Sequence, residues 1–121
     1  VPWIAGPERS FQPANDAQAR WWTTRYPTRA LFEMTALCSY VADRDLRKVR
    51  VPVLVCYSPE DRIVDTRAIQ ERFAEFGASR AELVTIPGVG DPARHVLAGD
   101  ALSPDTTAPV ADAIVAFLKG R

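Results

Sequence analysis

The sequence holds a single histidine, His95, and the run VPVLVCYSPEDRIVD, which delivers two aspartates, Asp61 and Asp65, directly after an apolar stretch. A carboxylate beside an imidazole has a defined chemical use. It accepts the Nδ1–H, holds the tautomer and stabilises the imidazolium, so that Nε2 can take a proton from a nucleophile. In open parallel sheets, ligands bind beyond the carboxyl ends of the strands. Asp61 follows one predicted strand and His95 lies past the next, so both fall on the same rim. Asp65, or Thr66 beside it, precedes a helical pattern and reads as the cap that accepts from that helix's free amides, where a carboxylate also suits the macrodipole.

The elements that must position this pair are legible in the apolar pattern. Val49 to Tyr57 is a continuous, β-branched run, the mark of a parallel strand covered on both faces. Ile69, Phe73 and Phe76 then form a helical stripe with Gly77 as its C′ stop. Ala81 to Pro87 predicts a second strand, and a loop through Gly88, Gly90, Asp91 and Pro92 leads to His95. Thr106 or Thr107 caps a last helix, with Val110, Ile114, Phe117 and Leu118 inward and Gly120 beyond its end. Upstream, Pro2, Pro7 and Pro13 make the opening an extended connecting segment. The stretch from Ala17 to Leu46 is helical in its spacing: Leu31, Met34 (or Thr35), Cys38 and Val41 share a stripe, Phe32 and Met34 read as helix-packing residues, and Pro27 sits near the start of the second helix. The order helix–strand–helix–strand–helix is α/β with a central βαβ crossover. Two strands are too few for a strand buried on both faces, so the pattern reads as the end of a larger sheet.

Bulk properties exclude several function classes. Lys+Arg and Asp+Glu balance at 15 each, so no electrostatic footprint recommends nucleic acid or an anionic membrane surface. No apolar run approaches a membrane span and no signal-peptide pattern opens the chain. Cys38 and Cys56 read as buried free thiols of a reducing, cytoplasmic compartment. One histidine, with no CxxC or HExxH, argues against a metal site, and the Gly88–Gly90 loop is no dinucleotide fingerprint, so no cofactor is expected. Arg44, Arg47, Lys48 and Arg50, broken by Asp43 and Asp45, read as a solvated face.

VPVLVCYSPEDRIVD, followed about thirty residues later by VGDPARHVLAGD, resembles the C-terminal half of an α/β-hydrolase, of the carboxylesterase and lysophospholipase-like kind. RWWTTRYPTRALFEMTALCSYVADRDLRKVRVPVLV resembles the lid-to-sheet connection of that family, with Asp45 to Leu54 introducing the acid strand. The resemblance implies a partial doubly wound parallel sheet with helices on both faces. Residues 1–48 would be the lid-to-sheet segment and 49–121 the half-domain. Asp61 matches the family's acid and His95 its general base. Trp21, Trp22 and Tyr26, among Arg20 and Arg25, either line an acyl pocket under a lid or pack a lid–core joint through cation–π contacts. Asp100 is a weaker candidate for positioning the histidine loop.

The family's third member is missing. Its serine belongs in G-x-S-x-G on a strand-to-helix elbow, and none of Ser10, Ser39, Ser58, Ser79 and Ser103 sits between glycines after a strand. Cys38 falls in a predicted helix and Cys56 inside the strand. The chain opens Val1-Pro2-Trp3 without an initiator Met, as a processed product, a proteolytic piece or a trimmed chain would. The expectation is therefore the C-terminal part of a serine ester hydrolase acting on a small-molecule ester, inactive alone. Its partner would be the missing N-terminal half of the same protein or, in a two-chain enzyme, a second chain bringing the serine; failing these, it would self-associate through an exposed sheet edge. The alternative is a short, non-catalytic α/β module used for interaction or assembly.

Overall fold

A computed structural model describes residues 6–120, and the chain divides into two compact units, Val1–Arg44 and Asp45–Arg121. The protein is mixed α/β, with two two-stranded sheets and four α-helices among the described residues.

In the first unit, β1 (Glu8–Ser10) pairs antiparallel with β2 (Arg25–Pro27), with Arg9 opposite Tyr26. The opening segment is thus a short strand and not merely a connection. Pro7 and Pro13 lie outside the three paired residues, and the Pro7 carbonyl still accepts from Thr28 N at 2.9 Å. Pro2 falls outside the described residues. Between the strands, α1 (Asp16–Trp21) starts on a reciprocal cap: Asn15 accepts from Gln18 N, and the buried Gln18 side chain accepts from Ala14 N at 2.7 Å. Pro27 closes β2 and stands two residues before the helix that follows. That helix, α2 (Arg29–Ala42), has no buried residue. The predicted stripe is present, yet Met34, Cys38 and Val41 are exposed, as is Phe32.

The second unit is built on a parallel pair. β3 (Val53–Tyr57) runs beside β4 (Ala81–Thr85) in register, from Val53 opposite Ala81 to Tyr57 opposite Thr85. The ladder starts at Val53 and not at Val49 because Pro52 has no amide to donate; Val53 N donates to Arg80 O at 2.8 Å. Val53 to Cys56 are half-buried, so β3 is not covered on both faces as its apolar continuity suggests. The best-buried apolar side chains are Tyr57, Ile86, Val89 and Leu102, at and past the carboxyl ends of the strands, and Phe117, against Arg80 at their start. Most of the core therefore sits at and beyond the carboxyl ends of the strands, beneath the loops.

α3 (Thr66–Phe73) connects the strands, capped by Asp65, whose carboxylate accepts from Arg67 N at 2.9 Å. It is tied to the sheet by Gln70, which donates to the Tyr57 hydroxyl at 2.9 Å. α4 (Thr107–Leu118) contacts β3 and ends just before Gly120. Of its predicted inward face, Phe117 is buried beneath the Arg80 guanidinium, 4.0 Å from the ring centroid, and Val110 is half-buried, while Ile114 and Leu118 remain exposed.

Asp45 caps a 3₁₀ turn, Leu46–Lys48, that docks on the α3–β4 connection. Leu46 O accepts from Gly77 N at 3.1 Å, and Arg50 Nη1 donates to Gly77 O at 3.3 Å. α3 ends at Phe73, short of Gly77, so the glycine is not its C′ stop; it is required by proximity. A Cβ there would lie 2.1 Å from the Arg47 carbonyl oxygen. Gly77→Ala is expected to destabilise the second unit by about 2 kcal/mol, the range for overpacking against a fixed neighbour. Urea unfolding checks this, and a loss below about 0.5 kcal/mol, within the usual scatter of surface substitutions, contradicts it.

Candidate functional site

Parallel strands in register release their following loops at one end, and the two candidate residues lie on those loops. After Tyr57 the chain turns at the fully buried Ser58, whose carbonyl accepts from Asp61 N and whose hydroxyl accepts from Glu60 N. After β4, Ile86 N donates to Tyr57 O, adding one more rung before the loop to His95. The two loops are then joined by backbone: Arg62 N donates to Ala93 O at 3.0 Å.

Asp61 and His95 meet, with Asp61 Oδ2 2.8 Å from His95 Nδ1. The other carboxylate oxygen accepts from Ile63 N at 2.7 Å and Val64 N at 3.0 Å. A carboxylate can only accept, so Nδ1 carries the proton and Nε2 is the nitrogen left with a lone pair. The Asp61 side chain is 4 % exposed and that of His95 45 % exposed. The acid is thus enclosed by its turn while the ring reaches solvent. Burial pushes the Asp61 carboxyl up, but the bonds from His95, Ile63 and Val64 outweigh it and hold the group below the ordinary carboxylate range.

The histidine loop is held from beneath. Asp91, buried, accepts with one oxygen from His95 N at 2.8 Å and from Val96 N at 3.0 Å. Ser103, fully buried, accepts from Asp91 N at 3.0 Å and donates to Val96 O. Thr106 and Thr107 face back toward this loop, donating to Leu97 O and Ser103 O. Neither hydroxyl caps α4, contrary to the sequence reading. Arg94 adopts φ 58°, a left-handed conformation, and donates to Val89 O. Asp100 is exposed; the side-chain bonds to the amides of Asp91, His95 and Val96 in the histidine loop come from Asp91 and Ser103. The available signal was the aspartate four residues before the histidine in GDPARH, a side chain suited to accept from amides one turn ahead.

The remaining candidates are engaged within their own units. Cys56 is half-buried in β3, and burial pushes its thiol up, away from thiolate reactivity. Cys38 is exposed on α2, so the expectation of two buried thiols is corrected; both are free. Arg20 stacks on Trp21 at 4.8 Å, with Trp21 and Trp22 exposed, and Arg25 pairs with Glu8. Arg47 is paired with Asp45 at 2.8 Å, and Arg44 stacks on Tyr40. No group of three or more His, Cys, Asp or Glu that could hold a metal occurs among the described residues. No helix among them is long and apolar enough to cross a membrane. No family model, curated protein or solved structure matches the chain.

The depressed Asp61 value carries a sign for stability. In the unfolded chain its pKa returns to about 3.9, so its contribution is fully present above that value and is lost as pH falls through the lower folded pKa. The stability of the wild-type chain should therefore decline below about pH 4 with a steeper acid limb than that of Asp61→Asn. Urea midpoints measured from pH 6 down to pH 2 check this, and parallel limbs contradict it.

Proposed function

We propose that this chain supplies the acid and the base of a serine ester hydrolase, with the nucleophilic serine contributed by sequence outside it. The observation that carries the reading is the Asp61–His95 hydrogen bond at the carboxyl ends of two parallel strands, with the imidazole reaching solvent. The resemblance of VPVLVCYSPEDRIVD and VGDPARHVLAGD to the C-terminal half of α/β-hydrolases supports the same assignment. In this reading β3 and β4 are the last strands of a larger doubly wound sheet, and the segment through α2 leads from a lid to that sheet.

Asp61 holds the imidazole with Nδ1 protonated, so Nε2 is the general base. It takes the serine Oγ proton as the hydroxyl attacks the ester carbonyl, and the carboxylate stabilises the imidazolium formed. The same proton then passes from Nε2 to the leaving alkoxide. In the second half-reaction Nε2 takes a proton from water, which attacks the acyl-enzyme, and returns it to the serine. The free thiols of Cys38 and Cys56 accord with a reducing, cytoplasmic compartment.

A second reading, a non-catalytic assembly module, draws on the apolar surface that α4 presents to solvent through Ile114, Val115 and Leu118. Enzyme kinetics on the full-length polypeptide separates the two. With p-nitrophenyl esters, His95→Ala and Asp61→Asn should each lower kcat by about 10³-fold or more, as lesions of a triad do, while chain 1–121 alone shows no turnover. The reading frame upstream of Val1 should encode G-x-S-x-G behind a strand pattern. Variants that keep near full activity, or a frame without that motif, favour the module.

A further inference from the structure

Asp61 restrains only the ring of His95; the backbone that carries the ring is governed by other groups. Both amides at that point, His95 N and Val96 N, converge on a single oxygen, Asp91 Oδ2. We propose that Asp91 is a positioning residue for His95, acting through the main chain, with Ser103 as its brace.

Three features support a dedicated clasp over an incidental loop bond. The Asp91 side chain is buried rather than capping at the surface, and burial without hydrogen bonds would be costly for a carboxyl group. Its own amide is fixed by Ser103 Oγ, a side chain with no exposed surface that also donates to Val96 O; the brace thus binds both ends of the segment 91–96. The approach of that brace depends on Gly90, where a Cβ would lie 2.8 Å from Leu102 O. Within the segment, Arg94 N donates to Asp91 O and Arg94 takes a left-handed conformation, which turns the next two amides back toward the carboxylate. A non-glycine residue held at φ 58° is unfavourable by itself and persists where surrounding bonds over-determine it. Loss of the Asp91 acceptor releases that conformation, the His95 Cα moves with it, and the Nδ1–Asp61 distance is no longer maintained.

Asp91 and Asp61 thus divide the task. One sets where the ring is anchored, and the other sets how the ring is turned. That division rests on the ester-hydrolase reading for its catalytic meaning, but not for its geometry.

The test uses the 121-residue chain and reads two nuclear magnetic resonance signals. The first is amide hydrogen exchange at His95 and Val96. The second is the downfield Nδ1–H proton of the single histidine, which Asp61→Asn serves to assign. In Asp91→Ala, exchange at His95 and Val96 should rise about tenfold, the worth of one amide hydrogen bond, and the Nδ1–H signal should broaden or vanish while β3 amides keep their rates. Asp91→Asn offers one oxygen in the same place and should restore both signals. Unchanged exchange in Asp91→Ala overturns the proposal. So does a rise spread evenly over β3 and β4, or a failure of Asp91→Asn to restore protection. These readouts need no nucleophile, so they are independent of the ester-hydrolase reading, which fails instead if His95→Ala leaves hydrolysis intact.

Discussion

The parallel register between β3 and β4 is the constraint from which the rest of the second unit follows. Because Tyr57 and Thr85 end their strands side by side, the turn through Asp61 and the loop to His95 start from adjacent points and leave in the same direction. Antiparallel pairing would send them to opposite ends. The additional rung from Ile86 N to Tyr57 O, and the bond from Arg62 N to Ala93 O, extend the strand pairing into the loops themselves. A hydrogen bond between side chains far apart in sequence is thereby prepared by backbone geometry before either side chain is considered. That is how a carboxylate and an imidazole meet with little further ordering cost at the rim.

The distribution of burial reinforces this arrangement. A two-stranded sheet cannot shield its own faces, and Val53 to Cys56 stay half-buried. The closely packed residues are instead Tyr57, Ile86, Val89 and Leu102, all at or past the strand ends. Fully buried Ser58 and Ser103 continue the same packed region, and their hydroxyls bond to the loops above them. Polar groups tolerate such burial only when paired. The loops of the site are consequently among the best-supported parts of the unit, an inversion of the usual contrast between rigid strands and loose connections.

Much of this was legible from residue order. Asp61 and Asp65 separate into two roles because one follows a strand and the other precedes a helical stripe, and each lies in the corresponding place. Other features escaped because their cause is non-local. Gly77 reads as a helix stop, but its need is the Arg47 carbonyl, thirty positions away in the chain. Thr106 and Thr107 read as caps because they open a helix, whereas the Thr106 hydroxyl donates to Leu97 O and the Thr107 hydroxyl accepts from Gly99 N. Asp91 looked like one polar residue in a glycine-rich loop, since nothing local reveals that it is buried. The apolar stripes of α2 and α4 were identified correctly as stripes; periodicity cannot report whether anything covers them.

By itself the sequence determined the strands and helices of the second unit, the parallel sense of its β3–α3–β4 segment and the common rim for Asp61 and His95. These rest on short-range rules: apolar continuity, capping chemistry and the handedness of a crossover. Tertiary structure alone decided the 2.8 Å contact, the enclosure of Asp61 against the exposure of His95, and the clasp formed by Asp91 and Ser103. Distance and burial are properties of which segments come to lie together. A chain's local pattern restricts those meetings without specifying them, because the energies that select among them come from packing and from hydrogen bonds closed in the folded state.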